Sequence, residues 1–218
     1  MPRPARLHIM FSHMALPALT VRRAEFDIED PWALPDGCEW ISMRRATDGL
    51  KPRLPTQFAI YADAGGLNVL FRADDDEVVA HYLGHDDPLY QDDVVEIFLA
   101  PAEITRYYEI EINPLGTTFD ARIESPDGVR DTMKVDVGWN CPGLFAAIRK
   151  IDGVMDTVAR IPFDSIGARA APGTEWRGNF FRIDRSPVHG DEFSAWQPTM
   201  KNPADFHVAA AFGRIVFA

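Results

Sequence analysis

Cysteine is almost missing from this chain of 218 residues, which holds only Cys38 and Cys141. Two distant thiols make neither a disulfide framework nor the Cys/His spacing of a structural zinc site. A single bridge between them and a pair of free buried thiols both stay open, because sequence does not report whether the two α-carbons approach within bonding range. Basic charge is scarce as well: 22 Lys and Arg stand against 33 Asp and Glu, a net charge of −11. The arginine doublets Arg22–Arg23 and Arg44–Arg45 are isolated. Nucleic acids and anionic membrane surfaces recruit dense basic faces, so neither is an expected partner. Long apolar runs are lacking too, and no segment reaches the roughly 18 apolar residues of a membrane span. The opening MPRPARLHIMFSHMALPALTV has early arginines and an apolar middle, but His8, Ser12, His13 and Pro17 interrupt it and no small-x-small cleavage site follows. The reading is a non-exported, cytoplasmic protein.

Helical periodicity is likewise thin. What recurs is alternation of apolar and polar residues in short runs between turn signals. Residues 56–61 and 67–73 flank the turn DAGG, a hairpin pattern. Further runs lie at 117–123, 145–150, 155–163, 176–184 and 212–218, with IDG at 151–153 as a second turn. Seventeen prolines and 15 glycines punctuate them, as strands joined by turns require. The best helix candidate, FDSIGA at 163–168, is one turn at most. With 46% hydrophobic residues the chain suffices for one large core. The expectation is all-β: a β-sandwich of antiparallel sheets, with residues 1–20 as an N-terminal arm and 21–218 as one domain.

The most informative stretch is YQDDVVEIFLAPAEITRYYEIEINPLG at 90–116. Read at a period of two, Val95, Ile97 and Leu99 face one way while Val94, Glu96 and Phe98 face the other. The second run repeats this, with Tyr108, Ile110 and Ile112 opposed to Tyr107, Glu109, Glu111 and Asn113. The short link 101–106 makes the two runs antiparallel neighbours, so Glu96 and Glu111 share a face. A sheet face bearing carboxylates and aromatics is either a solvated side or a surface that grasps a ligand.

The succession DDVVEIFLAP, YYEIEINPLGT, VGWN, ARIPFDSIG, WRGNFFRID, EFSAWQPT, FHV and FGRIVF resembles the family 9 carbohydrate-binding modules and their stand-alone relatives, over about Phe26 to Ala218. The resemblance implies a β-sandwich and a slot that clamps the terminal sugar of a chain, hence non-catalytic binding of a saccharide. It also implies that Tyr90, six residues before Glu96, packs on one sugar face and that Trp196 in SAWQPT covers the other. A pyranose C–H face stacks on aromatic rings, and its hydroxyl edge takes charged or amide partners, here Glu96, Glu111 and Asn113. The sequence departs from the family in one place. Where the sugar-binding members carry an arginine two residues before an asparagine, Glu111 precedes Asn113, so a donor-only cation is replaced by an acceptor-only anion. Carboxylates set side by side share a proton, bind a cation or turn apart. Arg182, alternating with Phe181 and Ile183, is the candidate replacement cation, with an internal ion pair to Asp184 as its other reading.

Other residue types leave alternatives. Trp32, Trp40, Trp139 and Trp176 read as core or seam residues. The acidic run 73–79 offers oxygens of the kind calcium takes, without the spacing of a calcium-binding loop, and calcium is the one cofactor left open. His81, His85, His189 and His207 are scattered. Met133, Met155 and Met200 with His189 or His207 provide ligand types for haem, which related sandwiches hold. Glu96 with Glu109 or Glu111 provides the paired carboxylates of a glycosidase. No nucleophile elbow, phosphate loop or dinucleotide fingerprint occurs. Oligomeric state is not legible.

Overall fold

The computed structural model describes residues 16–218, and the first residues of the expected N-terminal arm lie outside this range. In chain order the strands are β1 (Ala18–Arg23), β2 (Ile41–Ser42), β3 (Arg44–Arg45), β4 (Thr56–Ala62), β5 (Gly66–Asp74), β6 (Val94–Ala100) and β7 (Arg106–Ile112). They continue with β8 (Thr118–Glu124), β9 (Lys134–Asp136), β10 (Phe145–Ile151), β11 (Val154–Pro162), β12 (Glu175–Asp184), β13 (Glu192–Ala195) and β14 (Gly213–Phe217). One layer has the order β10-β11-β5-β4, and the other β14-β12-β6-β7-β8-β9. Strand β1 stitches them together: Ala18–Val21 run parallel to β14, and Arg22–Arg23 run parallel to β4. The sheet therefore begins inside the segment expected to be an arm. The FDSIGA stretch forms a turn, closed by the Ala168 N–H donating to the Phe163 carbonyl.

Alternation decides which side chains enter the sandwich. Val95, Ile97 and Leu99 of β6 and Ile110 and Ile112 of β7 are buried with Phe58, Val69 and Phe71 of the facing layer and Phe180 of β12. Phe58 and Phe180 stack across the two layers with ring centroids 4.3 Å apart. Such a pair adds about 0.5–1.5 kcal/mol to its area burial. The β10–β11 hairpin turns on Asp152 and Gly153, both at positive φ (51° and 77°). Two left-handed residues make the turn whose twist matches the flanking strands.

The tryptophans fall where seam residues belong. Trp176 is buried in the central core, and Trp139 packs on Tyr108. On the outer face of the first layer the guanidinium groups of Arg72 and Arg149 lie over Trp40 and Trp32, at 4.7 and 4.6 Å from the ring centroids. Cys38 and Cys141 are both free thiols, and burial pushes the Cys141 thiol up to about 12.

Arg182 points into the sandwich. It is opposite Val95 in register and donates to Asp184, Asp75, Thr56 and the Asp74 carbonyl. Its internal ion-pair reading is the one the structure bears out. Within the acidic run at 73–79, Asp75 pairs with Arg182 and Lys150, and Asp76 with Arg53. Those carboxylates are thus not an open oxygen set.

Phe180→Ala removes both the stacked ring and the centre of the interlayer core. We expect it to lower the unfolding free energy in urea by about 3–5 kcal/mol with little change in m.

Candidate functional site

The opposite face of the second layer is not solvated. Val94, Phe98, Ala121, Ile123, Phe181 and Ile183 form a second buried cluster on it, closed by Phe206 and Phe212 from the segment between β13 and β14. Phe206 stacks on Phe181 at 4.2 Å, and Phe212 meets Tyr107 edge-on at 5.2 Å. Sequence reading missed this lid, because 197–212 shows no strand or helix period. Where the lid stops short, a cleft of about 660 Å3 opens onto the sheet. Its floor is Glu96, Glu109 and Glu111, and its walls include Tyr90, Phe119, Met133, Phe193 and Phe206.

Register builds the floor. Glu96 is directly opposite Glu111, and Glu109 lies two residues back on the same strand and face. Each contributes a carboxylate oxygen to a group whose members lie within 4.8 Å of one another. They are only 3%, 5% and 3% exposed for Glu96, Glu109 and Glu111. Burial, then mutual repulsion, holds Glu96 and Glu111 well above the usual carboxylate range, and burial pushes Glu109 up to about 8 despite the opposing field of Arg130. Carboxyls this close and this buried cannot all carry full charge. The Oε2 atom of Glu111 is buried with no hydrogen-bond partner.

His207 stands beside the floor, its Nε2 atom 3.6 Å from Glu109. Its Nδ1 atom and the Tyr107 hydroxyl are 2.9 Å apart. Burial first, with Arg130 adding to it, drives the His207 ring down to about 4, which makes it a neutral imidazole at pH 7. Met133 also meets the Tyr107 hydroxyl, at 3.6 Å. Of the residue types noted for haem, Met133 and His207 thus share the cleft, while Met155 is buried on β11 and Met200 is exposed on the surface.

Of the expected site residues, the structure brings together Tyr90, Glu96 and Glu111. Tyr90 is 52% exposed at the mouth of the cleft, and its carbonyl accepts from the Arg185 guanidinium. Asn113 lies next to the floor but is fully committed within the protein. Its amide donates to the Tyr82 carbonyl at 2.9 Å and to Asp92 at 3.0 Å, and its oxygen accepts from the N–H groups of Leu115 and Thr117. Asp92 also accepts from the N–H groups of His81 and Tyr82, so this clasp sets the path of the loop that carries Tyr90.

Trp196 does not line the cleft. In β13 the pairing of Ala195 with Phe181 puts Ala195 on the cleft side, so the next residue turns into the sandwich. There Trp196 is 7% exposed, with Phe180 and Phe58 at 6.0 and 6.2 Å between centroids. It also covers Gly213 so closely that a Cβ there would run into its ring. Phe119, opposite Glu111, and Phe193, opposite Ile183, reach the cleft beside Tyr90 and Phe206. The alternation of 117–123 carried a signal for Phe119, whereas nothing in the sequence marked Phe193.

Elsewhere, His85, Asp86 and Asp120 bring ligand atoms within 4.8 Å of one another, and the Oδ1 atoms of both aspartates are buried without a hydrogen-bond partner, that of Asp86 standing 3.4 Å from His85 Nε2. These are donors of the type that hard cations take.

The fold is a β-sandwich with a cleft on one outer face, and comparison with known proteins fixes the family. The sequence profile described as Carbohydrate-binding family 9 matches residues 49–217, and the chain belongs to that family. A relative described as "Extracellular protein" from Arthroderma benhamiae is 24% identical over 208 residues, covering 86% of this chain and 91% of that one. A candidate carbohydrate-binding protein from Bacteroides uniformis has the same fold, with a TM-score of 0.72 at 18% identity over 94% of this chain and 100% of its own. A family 9 module from Caldicellulosiruptor kristjanssonii solved with cellotriose follows, with a TM-score of 0.65 at 16% identity over 92% of this chain and 93% of its own. Its complex with glucose gives a TM-score of 0.63 at 15% identity, covering 93% and 96%. Among the described residues no helix is long and apolar enough to cross a membrane.

The raised carboxyls give stability a definite pH dependence. Between the unfolded carboxyl pKa of about 4.3 and the folded values, the native state holds more protons than the unfolded chain. Their contribution is therefore complete at acid pH and is lost as pH rises through the folded pKa, about 8 for Glu109. Glu109→Gln is expected to raise the melting temperature by several degrees at pH 8 and by less at pH 5. Equal shifts at both pH values would show that the cluster is not protonated as described. Trp196→Ala should cost about 3–5 kcal/mol of stability by urea unfolding, as expected of a core aromatic.

Proposed function

We propose that this protein is a non-catalytic saccharide binder that takes a sugar ring into the cleft between Tyr90 and the lid segment. The observation that carries this reading is the juxtaposition of an exposed aromatic ring, Tyr90, with a floor of buried carboxyls inside one cleft. Aromatic faces take the apolar C–H side of a pyranose, while carboxyls accept from its hydroxyls. Each well-aligned bond to a charged group contributes about 1.5–3 kcal/mol. Membership of the family supports the same reading, and so do the cellotriose and glucose complexes of the C. kristjanssonii module.

In this reading Tyr90 is one platform, and Phe119 or Phe193 supplies the second, the role that the family resemblance gave to Trp196. Glu96 and Glu111 address the hydroxyl edge, and Asn113 positions the loop behind them. Arg182 belongs to the core. The floor carboxyls stand side by side on one sheet, whereas a hydrolase sets its pair across the scissile bond, about 5–5.5 or 6.5–9.5 Å apart. That arrangement favours binding over hydrolysis.

A glycan panel followed by calorimetry with glucose, cellobiose and xylobiose tests the proposal. Tyr90→Ala should weaken the best ligand by about tenfold or more, the equivalent of losing about 1.4 kcal/mol of stacking and contact. A blank panel, or a Tyr90→Ala variant with unchanged affinity, would overturn it.

A further inference from the structure

Resting on that saccharide reading, we propose that the carboxylate floor is a seat for a cation and that the sugar it selects carries a protonated amine, an amino sugar. Three features converge on it. Glu96, Glu109 and Glu111 point into one spot, with oxygens within 4.8 Å of one another. Among the described residues no Lys or Arg nitrogen lies within 4.0 Å of any of them, and the only basic group that does, His207, is neutral. Glu111, a cleft-lining residue only 3% exposed, has its Oε2 atom buried without a hydrogen-bond partner. An acceptor buried without a donor is costly, and a ligand that brings the donor recovers that cost as affinity.

The chemistry selects an ammonium. An –NH3+ group offers three donors and a full charge to three converging carboxyls, whereas a hydroxyl offers one donor and no charge. The walls decide between an organic cation and a metal ion. Phe119, Met133, Ile183 and Phe206 surround the floor with apolar surface, which suits the body of a sugar. A divalent ion of the calcium type asks instead for about 6–8 oxygens, in part from water.

The remaining ionisable groups that face the floor set its pH response. Arg130 is paired with Asp205, and Arg185 with Asp191. Lys201 is an exposed cation on the lid, and Tyr90 sits at the mouth. Below, burial holds the Tyr107 phenol above its ordinary value. The protonated floor must release protons to receive an ammonium, so affinity climbs as pH rises through the titration of the three carboxyls and falls once the amine itself loses its proton.

The test is calorimetry on the full chain, with EDTA present, in two buffers of different ionisation enthalpy. The ligands are a β-1,4-linked glucosamine disaccharide, its N-acetylated form and cellobiose. We expect the free amine to bind about tenfold or more tighter than either neutral sugar, the gain of one additional charge-assisted contact. Its binding should release protons, and the preference should shrink in Glu109→Gln. Equal affinities without proton release would overturn the amine assignment and leave the saccharide reading standing. No binding of any of the three, with the protein folded by circular dichroism, would overturn the assignment together with the reading beneath it. Calcium or manganese that saturates the site when EDTA is omitted, and displaces the amino sugar, would also overturn it in favour of a metal ion. Wild-type protein alone decides these outcomes, so a variant that fails to fold does not spare the proposal.

Discussion

A slip of one residue of β7 along β6 would turn Ile110 and Ile112 outward and drive Glu109 and Glu111 into the core between the layers. The same register that buries the aliphatic face of these strands assembles the carboxyl floor on the reverse. The floor is therefore as firmly specified as the core, although nothing about the three acids favours their meeting. Burial holds all three carboxyls above the usual range, and repulsion adds to it at Glu96 and Glu111, which the interlayer packing tolerates because it is secured elsewhere by Phe58, Phe180 and the aliphatic residues of β6 and β7.

Around that register the protein places polar groups in two different ways. On the sandwich side, Arg182 is buried but fully met by Asp75, Asp184, Thr56 and a backbone carbonyl. Asn113 is satisfied just as completely by Asp92, Tyr82 and its own hairpin turn. These groups have no capacity left for a ligand, and their task is to fix strand ends and the loop that holds Tyr90. The floor carboxyls differ in kind: they are equally buried, yet Glu111 retains an unused acceptor. Buried polar groups with their hydrogen bonds complete are structural, and one left incomplete beside an opening calls for an explanation of its own.

The strands were legible because alternation is a local signal. The runs at 56–61, 67–73, 117–123, 145–150, 155–163 and 176–184 each became a strand, and the shared face of Glu96 and Glu111 followed from two adjacent runs and a short link. The strand β1 escaped, since its two half-partners, β14 and β4, lie far away in sequence and its own composition resembles a leader. Trp196 was misplaced for an instructive reason. A tryptophan in a loop-like motif suggests a platform, but the parity of β13 against β12 turns it inward, and parity is fixed only once the partner strand is known. The lid carries no period at all. Phe206, Phe212 and His207 act through where the chain folds back, and no local pattern reports that.

One departure from the family pattern explains much of the site's character. An arginine two residues before Asn113 would neutralise Glu96 across the strand pair, giving a floor of balanced charge suited to hydroxyl groups. Glu111 in that place removes the cation and adds a third acid beside Glu109. No Lys or Arg then pairs with the floor among the described residues: Arg130 and Arg185 are engaged by Asp205 and Asp191, and Lys201 stands exposed on the lid. Electroneutrality inside a low-dielectric cleft can be met in two ways only, by bound protons or by a positively charged guest. Which one prevails is set by pH and by what enters, so on the proposed reading the acid at position 111 makes charge the first discrimination of the site.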